Sequence, residues 1–190
     1  MPLTTTHALV PLAGAVVFAK RPIPWRIIAI TALAAAAPDL DFLTNPVWGV
    51  RWGVSPLSVY AHRGAAHSLF VALAAGLLAA IFHKQLRVRP LTGAVAVASA
   101  MASHGLLDMF SDFGLPVAYL WPISSARLFA DWRPIHSGPV IWGHLIAEAF
   151  ARQSYELWHI VVPMFAIGLA VRIGRVIPIQ PLERRKSRGR

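Results

Sequence analysis

Apolar residues run along this chain in five blocks, approximately His7–Ala19, Arg26–Ala37, Ser68–Phe82, Leu91–Leu107 and Leu157–Val171, and none has an internal Lys, Arg, Asp or Glu. Uncharged runs of this kind predict membrane helices, yet several fall short of the roughly 20 residues that cross a 30 Å hydrocarbon core at 1.5 Å per residue. Some must therefore span thinly, be extended by flanking residues, or be partly re-entrant. Two stretches, Leu69–Ala80 and Thr92–Ala102, are rich in Ala and Gly, and small residues let helix backbones approach closely in lipid. The expectation is an all-α, polytopic membrane bundle of about five short helices, forming one domain over residues 1–177. The long polar interval 109–156 interrupts it. Four prolines (Pro116, Pro122, Pro134, Pro139) suppress helical periodicity there until Ile141–Arg152, and Trp121, Trp132 and Trp142 suit the headgroup level. This interval is predicted to form an interfacial outer cap.

Composition supports a membrane environment and removes several chemistries. Hydrophobic residues make up 56% of the chain and charged residues only 14%, with a mean hydropathy of +0.57, more than one soluble core of this size requires. There is no cysteine, which excludes disulfides, thiolate zinc sites and cysteine nucleophiles. The net charge of +10 would suggest nucleic acid in a soluble protein. Here the basic residues lie between and after the apolar blocks, not on an aromatic-interleaved face, so no nucleic-acid partner is expected. Leu9–Ala19 has no Lys or Arg before it, while Lys20 and Arg21 follow it, so it reads as a retained helix and not as a secretory signal.

The charges predict an orientation. Lys20, Arg21 and Arg26 occupy the first short loop, Lys84, Arg87 and Arg89 another, and a basic run follows Arg172, ending in "ERRKSRGR". By the positive-inside rule these face the cytoplasm, with the N-terminus outside and the basic tail 178–190 inside, against anionic lipid. The carboxylates, Glu183 excepted, fall on the opposite side with Arg51, Arg63, Arg127, Arg133 and Arg152.

On that topology, His7, Asp39, Asp41, His62, His67, His104 and Asp108 all fall at the outer ends of helices. His104 and Asp108 stand four apart, hence on one helical face. Pro38 disfavours helix at Ala37, so Asp39 and Asp41 are expected on an extended exit, pointing to the same side. Gly64 must break the chain between His62 and His67. Any one of these residues is as easily a cap, an interfacial group or a salt-bridge partner; seven on one side are harder to read that way. Imidazole and carboxylate without thiolate suit zinc, manganese or iron, and the number of candidates allows two ions sharing an Asp and an activated water. Arg63 would hold a phosphate or a developing oxyanion with its planar fork. Asp112 would orient a ligand from behind. His136, His144 and His159 lack a carboxylate at matching spacing and read as ordinary residues, His83 as a membrane-edge residue, and Glu148 and Glu156 as partners of outer arginines. Ser68 has no G-x-S-x-G context and reads as a helix N-cap.

The motifs "TTTHALV", "APDLDF", "YAHRGAAHSLF", "SHGLLDMFSDFG" and "LWPISSARLFADWRPI", in that order across residues 4 to 135, resemble the YdjM-like, LexA-regulated inner-membrane proteins, a family assigned as metal-dependent hydrolases. The resemblance implies a polytopic protein of the bacterial inner membrane whose His7, Asp39, Asp41, His62, His67, His104 and Asp108 match the family's polar positions. The stretch "HSGPVIW" after Ile135 departs from that pattern, so no role is carried over to His136 or Ser137.

The resulting expectation is a metal-dependent hydrolase at the extracytoplasmic membrane surface. An activated water would attack a phosphoryl or acyl centre of a lipid or lipid-linked substrate. The alternative is a non-enzymatic metal-binding or metal-transport protein, since intramembrane ionisable groups often mark ion pathways. A third reading makes the cluster a structural lock of helix ends.

Overall fold

A computed structural model describes residues 4–18, 23–41, 55, 57–136, 151 and 153–176. Five helices appear where the apolar blocks predict them: α1 (Thr4–Phe18), α2 (Trp25–Ala36), α3 (Leu69–Ile81), α4 (Pro90–Met109) and α5 (Gln153–Arg175). A single helical turn, His83–Leu86, lies between α3 and α4, and α5 contains a π-helical turn, Leu157–Val161. Helix α4 is central, packing against α3, α2 and α1, while α1 also packs against α2 and α5. Among the described residues two helices, α4 and α5, are long and apolar enough to cross a membrane, and α3 is a shorter apolar helix. No β-strand forms among the described residues, only the isolated bridges Ser111–Ile135 and Val117–Leu128.

Residue size decides which face of each helix turns inward. Helix α3 buries Ala72, Gly76 and Ala79, and α4 buries Gly93, Val97, Ala100, Met101, His104, Gly105 and Asp108. The large side chains point away: Leu73, Leu77, Leu78 and Ile81 on α3, Leu91 and Val95 on α4, and Ile167 and Ile173 on α5 are exposed. A bundle in water would collapse the leucines inward; one in lipid gains nothing from doing so and is held instead by close backbone contact. Gly76 shows this directly, because a Cβ there would lie 2.7 Å from both the Ala94 carbonyl oxygen and the Ala98 Cβ.

Residues 110–136 form the expected non-helical cap and lie against the loop that leads into α3. The Arg63 carbonyl accepts from the Ala118 amide at 2.9 Å, and the Tyr119 carbonyl accepts from the Leu69 amide at 2.9 Å. Arg127 donates to the carbonyls of His62 and Pro116 at 3.1 and 3.0 Å and also to that of Ser58. Trp142, His144, Glu148, the helical periodicity expected over 141–150 and the tail 178–190 lie outside the described residues.

One local expectation is overturned. Asp39 and Asp41 do not lie on an extended exit: Ala37 keeps helical angles (φ −59°, ψ −37°), and α2 tightens into a 3₁₀ turn, Ala37–Leu40. Pro38 occupies the first turn of that 3₁₀ segment, where its missing N–H removes no necessary hydrogen bond.

Candidate metal centre

The loop before α3 and the ends of α1, α2 and α4 bring all seven predicted residues to one end of the bundle. His7, His62, His67, His104 and Asp108 are buried, and Asp39 and Asp41 keep side-chain exposures of only 10% and 12%. Two backbone features allow this convergence. Arg63 adopts a left-handed conformation (φ 60°), and Gly64 follows it, turning the chain between His62 and the 3₁₀ turn Ala65–His67. Gly105 then lets that turn settle onto α4, since a Cβ on Gly105 would lie 2.3 Å from the His67 carbonyl oxygen. Ser68 caps α3, its side chain accepting from the Val71 amide at 3.2 Å, as its context predicts.

The separations between these imidazoles and carboxylates are short enough to share a cation. His104 Nε2 stands 3.2 Å from Asp39 Oδ1 and 3.6 Å from Asp108 Oδ2; His67 Nε2 stands 3.7 and 3.5 Å from the same two oxygens. Two donors about 2.1 Å from one tetrahedral ion are themselves about 3.4 Å apart. These four atoms therefore have the spacing of an ion's ligand shell. Among the described residues, His7 Nδ1 and Nε2, His67 Nε2, His104 Nε2 and Asp108 Oδ2 are buried without a hydrogen-bond partner, which is costly unless a cation or water satisfies them. The donor set fits a divalent transition metal. Three overlapping groups could hold an ion: His7, Asp39 and His104; Asp39, His62 and His67; and His67, His104 and Asp108.

Surrounding contacts orient these donors. The Ala35 carbonyl lies 2.6 Å from His104 Nδ1; a carbonyl only accepts, so Nδ1 carries the proton and Nε2 keeps its lone pair. Asp41 stands between two rings, 2.7 Å from His62 Nδ1 and 3.2 Å from His67 Nδ1. His7 stacks on His104 with ring centroids 3.7 Å apart. Burial disfavours the charged form of His67, but the Asp39 and Asp41 carboxylates hold its pKa up at about 9. Burial likewise opposes charge on Asp39, yet the adjoining His104 and His67 imidazoles keep its carboxyl far below the ordinary range. Asp41 is lowered in the same way by His62 and His67, against its own burial. Without a metal, the cluster keeps a proton on His67, so its carboxylates already demand positive charge.

Arg63 and Asp112 sit differently from their sequence expectation. The Arg63 side chain is fully buried, with one amino group on Asp108 at 2.7 Å and Ser111 at 3.1 Å, and the other on the Leu115 carbonyl at 2.7 Å. Its guanidinium is committed to holding Asp108 and the cap. Asp112 lies partly exposed and meets His136 Nδ1 at 2.8 Å. Position along the sequence could not reveal that pair, because the bridge between Ser111 and Ile135 creates it. Glu156 is the residue that sequence reasoning missed most clearly. It is fully buried and accepts a hydrogen bond from Thr6, next to His7. The available signal was its place at the start of the last apolar block, the end of the bundle shared by the other seven.

The sequence pattern of YdjM inner membrane proteins matches residues 1–177. The chain belongs to that family. It is also similar to the inner membrane protein YbcI of Escherichia coli (strain K12), with 33% identity over 140 residues that cover 73% of this chain and 78% of that one. No solved structure matches it. Every residue of the His/Asp cluster falls inside the span shared with the YdjM family.

Proposed function

We propose that this YdjM-family protein is a membrane-bound metal-dependent hydrolase of the bacterial inner membrane. Asp39, His67, His104 and Asp108 hold a divalent transition metal, with zinc favoured by the spacing. His7 and His62 flank that position, and the group Asp39, His62 and His67 provides donors for a second ion. The observation that carries the reading is that the buried Nε2 atoms of His67 and His104, which have no hydrogen-bond partner, stand 3.2–3.7 Å from carboxylate oxygens of Asp39 and Asp108 at one end of an apolar bundle.

A divalent ion in this position would lower the pKa of a bound water and polarise a phosphoryl or acyl oxygen. The chain's own part is to orient and to hold charge. Arg63 fixes Asp108, Asp41 fixes the His62 and His67 rings, and the Ala35 carbonyl selects the His104 tautomer. The orientation follows from the basic loops: the centre faces the extracytoplasmic side, the N-terminus is outside and the basic tail is cytoplasmic. Exposed Trp132 and Ile123 on the cap suit the headgroup level, which supports a lipid or lipid-linked phosphate or ester as substrate over a soluble one. A transport role would need liganding groups continuing toward the other end, where among the described residues His83 is the one His or Asp side chain.

The test is elemental analysis of the detergent-purified full chain beside His67→Ala and Asp108→Asn, followed by phosphatase and lipase substrate panels. One or two equivalents of a transition metal in the wild type and a loss of at least tenfold in both variants support the proposal. A folded, metal-free wild type that takes up neither zinc nor manganese sinks it.

A further inference from the structure

Helix α2 begins at Trp25, twelve residues from the end that leads to Asp39 and Asp41, or about 18 Å at 1.5 Å per residue. There it forms a cleft of about 330 Å³ with the turn joining α3 to α4, lined by Trp25, Arg26, Ile30, Gln85, Leu86 and Arg87. Neither guanidinium has a carboxylate partner among the described residues. All described carboxylates lie at the opposite ends of α2, α4 and α5 or in the cap. Arg87 is held in a left-handed conformation (φ 54°) at the C-cap of the His83–Leu86 turn, a position where Gly or Asn is normally found and a larger residue is strained. Arg26 lies against Trp25, 5.6 Å from its ring centroid, and Trp25 is 71% exposed. Helix α2 also starts without a side-chain cap, the Pro24 carbonyl accepting from the Ile27 and Ile28 amides.

We infer that this cleft is a binding site for an anionic glycerophospholipid of the leaflet at the basic end. Two guanidiniums present planar forks to a phosphate diester, while Trp25, Ile30 and Leu86 form an apolar wall for the start of an acyl chain. A free inorganic anion has no use for that wall. A zwitterionic headgroup brings its own ammonium, which the two arginines repel. Basic pockets between membrane helices recognise anionic headgroups by this combination. The site is independent of the chemistry at the other end of the bundle.

Native mass spectrometry of the full-length protein in detergent tests the inference, with dioleoylphosphatidylglycerol, dioleoylphosphatidylcholine and inorganic phosphate as probes. Phosphatidylglycerol is retained by the wild type, and about thirtyfold less tightly by R26Q/R87Q, from two basic contacts at the membrane surface. The variant R184Q/R185Q removes the same charge from the tail and keeps the lipid. Trp25→Ala leaves both arginines intact and lowers retention several-fold, and circular dichroism of each variant confirms its helices. Equal retention by R26Q/R87Q and the wild type overturns the proposal, as does an equal loss in R184Q/R185Q or equal binding of phosphatidylcholine. Displacement of the lipid by an equal concentration of inorganic phosphate, or unchanged retention in Trp25→Ala, replaces the lipid site with a bare anion site.

Discussion

The two ends of α2 handle charge in opposite ways. At the Asp39 end, imidazoles, carboxylates and Arg63 are packed out of solvent, each fixed by another. At the Trp25 end, Arg26 and Arg87 stand at an open cleft without carboxylates among the described residues. A buried charge must be neutralised where it sits, because losing one partner leaves the other desolvated at about 3–5 kcal/mol, whereas exposed pairs contribute about 0–1 kcal/mol. The polar end is therefore a closed network in which single changes propagate. The basic end is an open surface, which suits the lipid partner proposed for it.

The largest effect expected from breaking this contrast is at Asp108. Asp108→Ala strands the buried Arg63 guanidinium and removes a metal donor, so it should abolish metal content and lower stability by about 3–5 kcal/mol. Thermal unfolding and elemental analysis read both. Asp108→Asn keeps the shape and separates them; if cluster variants lose stability while metal content stays at the wild-type level, the cluster is a structural lock.

Acidity should come next in size. Metal binding must displace the proton on His67, so apparent affinity should rise about tenfold per pH unit and level off near pH 9. Folding of the metal-free protein runs the other way. A raised histidine pKa contributes stability that is complete below about pH 6.5 and is lost as pH rises through 9. Competition with a chelating dye across pH 6–9 and unfolding of the metal-free protein over the same range should give opposite slopes; parallel slopes would show that His67 is not the competing site. Retention of phosphatidylglycerol at the basic end should stay flat, since guanidiniums do not titrate there.

A smaller effect is expected where geometry alone is disturbed. Gly105→Ala drives a Cβ into the His67 carbonyl oxygen, so zinc affinity should fall by about 10- to 100-fold, as for other changes that disorient a ligand. Equilibrium dialysis showing unchanged affinity would mean that the His67 turn can shift freely. The smallest effect belongs to His136→Ala. Its partner Asp112 is partly exposed and its own side chain is 67% exposed, so stability should change by less than about 0.5 kcal/mol, and metal content should not change.

The five helices, the family and the list of seven polar residues were legible in the order of residues alone. Apolar blocks without charge have few folded options, and helix-end His and Asp stand out against them. Arg63 shows what the sequence could not tell. Beside His62 it reads as a clamp for a ligand, yet residues some fifty positions later, Ser111 and the carbonyls of Phe113 and Leu115, take its guanidinium. Asp39 and Asp41 read as an extended pair because Pro38 was weighed as a local breaker. Packing of α2 on α4 kept the helix tight and turned the two carboxylates toward different neighbours of His67. Chain order determined which groups arrive at the same end of the bundle, because periodicity and charge are local properties. Their distances, tautomers and division of roles were decided by tertiary contacts, which depend on close approach between segments far apart in sequence.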